Sequence, residues 1–257
     1  MFNNGISIIG AGNVANHIAI AISKANINIK QIVSKTKLSA EILAQKVNAK
    51  GIHNLKKFDS SVDLIIVSVN DDAIFDVISE IDIQDTLIVH TAGSIDMNIF
   101  DSLAQNYGVL YPVQTFSKEK EIDFSNVPIC IEANNEFNND ILKQFSKKIS
   151  SKVIKVSSVQ RKNIHLSAVF ACNFVNHMYN IAAHLLNEDD ISFDILKPLI
   201  SETAIKVMNN SPQDMQTGPA IRNDKIVIEN HLESLNNDKE LQKIYRFVSE
   251  NIKNINI

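Results

Sequence analysis

The sequence lacks the features of several large protein classes. Its only two cysteines, Cys130 and Cys172, both lie in apolar stretches, which argues against a disulfide framework and a cysteine-based zinc site. An apolar strand begins by Gly5, so no signal peptide is expected ahead of it. The formal charge of −4 comes without a cluster of Lys and Arg. We therefore expect a cytoplasmic protein that binds small molecules, with neither nucleic acid nor a membrane as partner.

Internal repeats and low-complexity segments are absent as well. Apolar runs of strand length alternate with helical patterns as far as about Val156, which is typical of a parallel sheet covered by helices. Beyond this point only helical patterns occur. The sequence therefore predicts an α/β fold class, with a Rossmann-like doubly wound parallel sheet over residues 1–156 and an all-α C-terminal domain over residues 157–257.

A glycine-rich turn follows the first apolar run. The segment Gly10–Ala15, with the sequence Gly-Ala-Gly-Asn-Val-Ala, comes directly after Ile6–Ile9 and opens a stretch with helical spacing. In dinucleotide-binding folds the first glycine permits the tight turn, and the second lets backbone N–H groups approach a pyrophosphate. The alternative is a structural turn that binds nothing, because the motif alone is common. The expected cofactor contacts are Gly10, Gly12, Asn13 and Val14.

No Asp or Glu stands about twenty residues after the glycines, where NAD-binding proteins of this fold hold the ribose hydroxyls. The second predicted strand instead ends in Ser34, Lys35 and Thr36, whose hydroxyls and cation suit a 2′-phosphate. NADP is therefore preferred over NAD, although such a tripeptide is also common in solvated loops. Val69 and Asn70 follow another buried strand and are further cofactor candidates, with Asn70 as a helix cap in the alternative.

Polar clusters follow two more predicted strands, at the edge of the sheet where ligands of such folds bind. The alternatives for these clusters are a turn and a helix cap. Near the C-terminus, Gly218 and Pro219 predict a turn before a capped helix, but the fork of an arginine suits a carboxylate or phosphate. The candidate substrate contacts are His90, Ser94, Gln114, Thr115, Thr217 and Arg222.

A long helix is predicted from about Val159 to Leu186, and it has no Asp, Glu, Lys or Arg between Lys162 and Glu188. Its amides and imidazoles would be costly in lipid. We therefore expect a buried helix packed between domains or subunits.

Along one side of this helix lie Asn173, His177, Asn180 and His184, with His165 about two turns earlier. A histidine could move the proton that accompanies hydride transfer, since its ordinary pKa is near neutrality. The candidate catalytic residues are thus His165, His177 and Asn173. The alternative is a hydrogen-bonded seam between helices or subunits. Since no carboxylate or cysteine joins the histidines at suitable spacing, we expect no metal.

Together these motifs resemble one family of NADP oxidoreductases, in which a Rossmann-like domain precedes a helical domain of unknown function. The family is similar to deazaflavin-dependent NADP reductases, pyrroline-carboxylate reductases and 3-hydroxyacid dehydrogenases. The resemblance implies a homodimer formed through the helical domain and a site in the cleft between the domains. It also allows a deazaflavin or flavin as hydride partner, although no motif requires one. The motifs are Gly10–Ala15, His90–Ser94, Tyr111–Phe116, His165–Asn176 and Thr217–Asp224.

The chain departs from its relatives at two positions. Tyr111 stands where many relatives have histidine, and Val169 stands four residues before Asn173, where the hydroxyacid dehydrogenases have a catalytic lysine. The sequence therefore predicts a cytoplasmic NADP-dependent oxidoreductase with a small substrate, but not the lysine mechanism. Two alternatives stay open: a non-catalytic NADP-binding sensor or regulator, and a Rossmann-like scaffold with an empty site.

Overall fold

A computed structural model describes residues 2–83 and 85–254 of the chain. It divides into two compact units, of which the first extends to His177 and the second begins at Met178. The predicted domain boundary after residue 156 lies inside the first unit, between its last strand and the helix that begins at Ser158.

The first unit is built on a sheet of eight strands in the order β3-β2-β1-β4-β5-β6-β7-β8. All residues of β1, β4 and β5 are buried, because helices cover both faces of a doubly wound sheet. This is the Rossmann-like architecture that the sequence predicts. The strands are β1 (Ile6–Ile9), β2 (Ile29–Val33), β3 (Lys50–Ile52), β4 (Leu64–Val67), β5 (Leu87–His90), β6 (Tyr107–Pro112), β7 (Ile129–Ala133) and β8 (Val153–Lys155).

The sheet is parallel only over its first six strands. Strand β7 runs antiparallel to β6, and β8 is parallel to β7. A parallel return usually needs a crossover helix, whereas the connection from β6 to β7 contains only a short 3-10 turn, Phe124–Asn126. The reversal places Glu132 beside Val109, which in turn pairs with His90 of β5. A carboxylate thus lies two strands away from the end of β5.

Helices of the first unit pack on the sheet through their apolar sides. Ile18 and Ile22 of α1 are fully buried in one core cluster, and Ile74 and Ile78 of α3 are buried in the other. Helix α5 begins with a capping box in which the Ser157 and Gln160 side chains bond each other's backbone N–H groups. The helices are α1 (Asn13–Lys24), α2 (Lys37–Lys46), α3 (Ile74–Ser79), α4 (Glu136–Ile149) and α5 (Ser158–Ala168).

The long predicted helix exists, but it is not a uniform α-helix. Helix α5 passes into a π-helical segment, Val169–Phe174, and then into α6, Val175–Asn187. The wider π turn breaks the 3.6-residue repeat before α6, so His165 and Asn173 do not continue the regular repeat that relates His177, Asn180 and His184. In the single chain every residue from 163 to 187 is half-buried or exposed. The described residues of this chain therefore do not bury the helix as the sequence predicts.

The second unit is helical, as the sequence predicts for this region. It contains the end of α6 and three further helices, α7 (Lys197–Asn209), α8 (Lys225–Ser234) and α9 (Lys239–Asn254). Asp224 caps α8 by accepting a hydrogen bond from the backbone N–H of Val227. Among the described helices, none has both the length and the apolar character needed to cross a lipid bilayer.

Candidate cofactor and substrate site

The glycine turn between β1 and α1 has the geometry of a phosphate cradle. Gly10 has φ +125°, and a Cβ on it would lie 1.9 Å from the carbonyl oxygen of Ser68, so only glycine fits. Gly12 is different, because a Cβ there would meet no atom within 4 Å. The space in front of Gly12 is open. A group the size of a pyrophosphate could approach the backbone there.

The start of α1 suits an anion. The helix begins at Asn13 with Gly12 as N-cap, and its first turn carries no acidic residue, so its N–H groups and the helix dipole favour negative charge. The Asn13 amide donates to the carbonyl oxygen of Phe116 at 2.9 Å, which ties the turn to the loop after β6. Ala15 is fully buried, as close packing of this helix on the sheet requires. These residues fit a dinucleotide.

The loop after β2 offers a cation and little negative charge. Ser34 is half-buried, whereas Lys35 and Thr36 are exposed. Within the described chain Lys35 takes part in no ion pair, so its ammonium is available to a phosphate. The Thr36 hydroxyl is already engaged as the N-cap of α2, since it accepts from Ser39 N and donates to Ser39 Oγ. Of the three predicted contacts, Lys35 is thus the one best suited to a 2′-phosphate.

The loop after β4 contains Val69, which is half-buried, and Asn70, which is exposed. Asn70 occupies the N-cap position of a 3-10 turn, Asp71–Ala73, but its side chain makes no capping hydrogen bond. In this part of the described chain the amide therefore has no capping role that would compete with a ligand.

The loop after β5 differs from its prediction at one position. His90, which is predicted to contact substrate, is completely buried. Its Nδ1 accepts a hydrogen bond from the Ala92 N–H, and its ring stacks on Phe100. Burial, the main cause, lowers its pKa to about 3. His90 has no accessible surface with which to contact a substrate. Ser94 is exposed, and its hydroxyl donates to the carboxylate of Asp71.

A pocket of about 280 Å³ lies between the loop after β6 and the long helix. It brings together four predicted residues, and it adds the hydroxyl of Tyr111 and the thiol of Cys172. Cys172 and Asn173 both belong to the π-helical segment, and such segments are frequent at functional sites. The predicted residues in the pocket wall are Gln114, Thr115, His165 and Asn173.

A pair of side chains forms the polar centre of this pocket. The Tyr111 hydroxyl lies 3.1 Å from Nδ1 of His165, and the two rings meet edge to face. Burial raises the pKa of Tyr111 above its ordinary value, so the phenol keeps its proton at neutral pH. A Cβ on Gly93 would lie 2.6 Å from His165 Nδ1, so the imidazole rests directly on the backbone of the β5 loop.

Behind the pocket lies a charged residue that sequence reasoning missed. Arg161 has no exposed surface, although charged residues are almost never fully buried. Its Nη1 donates to the carbonyl oxygens of Ala92 at 3.0 Å and Gly93 at 2.8 Å. Its Nη2 donates to Glu132 at 3.3 Å and to the Ser158 hydroxyl at 3.1 Å. An arginine near a helix start carries no sequence signal of such burial.

Three further predicted site residues are exposed, one in the first unit and two in the second. His177 is exposed near the end of the first unit and does not contribute to the pocket wall. Thr217 and Arg222 belong to the second unit, where both are exposed. Their predicted contact with substrate stays a prediction.

Two family matches cover most of the chain. Residues 5–93 match the family described as NADP oxidoreductase, coenzyme F420-dependent, and residues 127–252 match a domain of unknown function, DUF2520. A solved structure described as a proposed NADP oxidoreductase from Bacteroides fragilis is 43% identical over 97% of this chain and 98% of its own, with a TM-score of 0.92. The chain belongs to this NADP oxidoreductase family. In this chain the N-terminal match contains the glycine turn, and the C-terminal match contains Arg161, His165 and the π-helical segment.

More distant structures share the fold of this chain. A 1-pyrroline-5-carboxylate reductase from Streptococcus pyogenes is 13% identical over 97% of this chain and 98% of its own, with a TM-score of 0.62. A pyrroline carboxylate reductase from Plasmodium falciparum, solved with NADP bound, is 12% identical over 98% of each chain, with a TM-score of 0.59. Among curated proteins nothing matches this chain.

Proposed function

We propose that this protein is an NADP-dependent enzyme that transfers a hydride between NADP(H) and a small substrate held in the Tyr111–His165 pocket. One observation carries the proposal: the glycine turn follows β1, the loop with Gly93 follows β5, and Tyr111 lies at the end of β6, all of them parallel strands. They therefore lie at the same edge of the sheet, where ligands of this fold bind. The predicted position of the substrate between the two domains remains a prediction.

The nucleotide would lie along this edge, across the ends of strands β1 to β4. Its pyrophosphate would meet the N–H groups of Gly12, Asn13 and Val14, because the space above Gly12 is open. Lys35 would pair with the 2′-phosphate. The positively charged ammonium gives NADP an advantage over NAD, since a charge-assisted hydrogen bond is worth about 1.5–3 kcal/mol.

The pocket residues would complete the reaction by supplying a proton. NADPH, when bound, would supply the hydride for the carbon of a C=O or C=N bond. The Tyr111 hydroxyl, which burial keeps protonated, would donate its proton to the heteroatom of that bond. A His165 imidazolium, with its Nδ1 3.1 Å from the phenol oxygen, would return a proton to that oxygen, become neutral imidazole and take up a new proton from solvent. The amides of Gln114 and Asn173 would orient the substrate from the pocket wall.

We also propose a homodimer formed through the helical region. Large apolar side chains remain exposed on the long helix and on the second unit, for example Phe170 at 61%, Leu199 at 63% and Phe247 at 71%. Exposed apolar patches of this kind mark association surfaces. Light scattering should give twice the chain mass of 28.6 kDa; a monomer in solution would contradict the dimer.

The nucleotide assignment is tested by thermal shift with NADP⁺, NADPH, NAD⁺ and NADH, because a ligand that binds the native state raises the melting temperature. We expect stabilisation by the two phosphorylated forms at concentrations where NAD⁺ and NADH have little effect. No stabilisation by any of the four would overturn the proposal.

Hydride transfer is tested separately with NADPH deuterated at C4 and a panel of carbonyl, imine, flavin and deazaflavin acceptors. We expect stereospecific loss of deuterium to one class of acceptor. Binding of NADPH without deuterium loss to any acceptor would favour a sensor or regulator.

A further inference from the structure

The buried guanidinium of Arg161 connects three parts of the first unit. Through Nη1 it holds the two carbonyl groups of the β5 loop, and through Nη2 it reaches Glu132 on β7. Glu132 in turn accepts from the backbone N–H and the hydroxyl of Ser158, at 2.6 and 2.9 Å. The start of α5 is therefore fixed to the sheet and to the β5 loop at one point.

Within the described residues, neither Arg161 nor Glu132 forms a second ion pair. The side chain of Arg161 is fully buried and that of Glu132 is 13% exposed, so each charge depends on the other and on backbone groups for its stabilisation. A planar guanidinium can bond two carbonyl oxygens and a carboxylate at once, whereas a lysine ammonium cannot match this geometry. The arrangement therefore requires arginine.

The same helix carries His165 one turn after Arg161, so the two side chains project toward the same side. Arg161 holds the carbonyl group of Gly93, and His165 rests on the Cα side of the same residue, where a methyl group would come within 2.6 Å of Nδ1. The two residues thus contact one glycine from successive turns of α5. Any movement of the loop against the helix would change the contact between His165 and Gly93.

We propose that Arg161 is a positioning residue, which sets His165 against Gly93 and thereby holds its Nδ1 in reach of the Tyr111 hydroxyl. The importance of this role for turnover rests on the proposed function, but the positioning itself can be measured without a substrate.

The experiment follows the side chain of His165 by NMR in the full chain with labelled histidine and glycine. In the unchanged protein, an NOE should connect the His165 ring to the α-protons of Gly93. Gly93→Ala supplies the reference for a displaced ring, because its methyl group cannot coexist with the present position of Nδ1. Arg161→Lys should lose the NOE and move the His165 Cε1–H resonance in the direction seen for Gly93→Ala.

Lys162→Met is the matched control. Lys162 is the neighbour of Arg161 and also joins α5 to the β5 loop region, through Asp96 at 2.8 Å, but this ion pair is 43–44% exposed. We expect Lys162→Met to leave both the NOE and the resonance unchanged. If Arg161→Lys does not fold, Glu132→Gln decides the question by the same two signals, because it removes the charge that holds Nη2.

An unchanged NOE in folded Arg161→Lys or Glu132→Gln would overturn the proposal, as would an equal effect of Lys162→Met.

NADPH binding provides a second readout. The rise in melting temperature that NADPH causes in Arg161→Lys should stay within about twofold of the rise in the unchanged protein, because the glycine turn is separate from this network. Once an acceptor is known, kcat should fall at least tenfold while KM for NADPH changes less than twofold. Failure of NADPH to bind the unchanged protein would reject the proposed function and leave the NMR result valid.

Discussion

The hydroxyl of Tyr111 and Nδ1 of His165 form a hydrogen-bonded pair, 3.1 Å apart, across the wall of the candidate pocket. Strand β6 supplies the phenol and α5 supplies the imidazole. A half-buried donor beside a second proton carrier is an arrangement suited to general acid catalysis.

Tyr111→Phe and His165→Ala should each lower kcat by about 10²–10⁴-fold, the range for general acid–base groups. Turnover with NADPH and the acceptor identified by deuterium transfer provides the measurement. His177→Ala is the control, since this histidine is exposed and outside the pocket wall. Full activity of both pocket variants would reject the pair as the proton source.

Gly12→Val should abolish NADPH binding without loss of stability. The new side chain would enter space that is empty in the protein, which is where the pyrophosphate is expected. Gly10→Ala should behave differently and lower the melting temperature, because its methyl group would collide with the Ser68 carbonyl oxygen. Thermal melts with and without NADPH compare the two variants; retained stabilisation of Gly12→Val by NADPH would contradict the cofactor site.

Lys35→Gln should weaken NADPH binding about tenfold or more and leave NADH binding nearly unchanged, because only NADPH carries the 2′-phosphate that this charge would contact. Calorimetry with both nucleotides measures the difference. Lys30→Gln is a suitable control, since Lys30 lies at the opposite end of the same strand, beside Asp59. Equal losses for the two nucleotides would show that Lys35 does not select NADP.

His90 should make the protein less stable in acid. Its pKa is about 3 in the folded protein and about 6.5 in an unfolded chain, so between these values the unfolded state binds a proton that the native state excludes. The contribution of His90 is therefore complete above about pH 6.5, and it falls by up to about 1.4 kcal/mol per pH unit as pH drops toward 3.

Urea unfolding between pH 7 and pH 4.5 measures this effect. The unchanged protein should lose stability more steeply with falling pH than His90→Asn, which can still accept a hydrogen bond from the Ala92 N–H. The comparison uses slopes, so a general loss of stability in the variant does not interfere. Identical slopes would contradict the depressed pKa.

The sequence predicts the central strands and the glycine turn because their signals are local. Apolar runs such as Leu64–Val67 are the right length for buried strands, and the change to helical spacing after Gly12 marks the start of α1. The short strand β3 and the direction of β7 were not predicted. Three residues carry almost no pattern, and strand direction depends on pairing between distant segments, which periodicity does not encode.

The candidate site was predicted only in part for the same reason. Gln114 follows a strand and Asn173 lies on the long helix, so general rules suggested both. The pairing of His165 with Tyr111 and its contact with Gly93 depend on tertiary packing. The π-helical segment and the burial of Arg161 also lack a sequence signal, since helical spacing indicates a uniform helix and a charge indicates an exposed side chain.

The buried ion pair has a consequence for where this chain can be divided. A fragment that ended at the last strand, near residue 156, would keep the glycine turn and all eight strands but lose Arg161. The Glu132 carboxylate and the two loop carbonyls would then have to recruit water in place of the guanidinium. We therefore expect the Rossmann-like part alone to be less stable than the whole first unit, because its interior is completed by the first turns of the following helix.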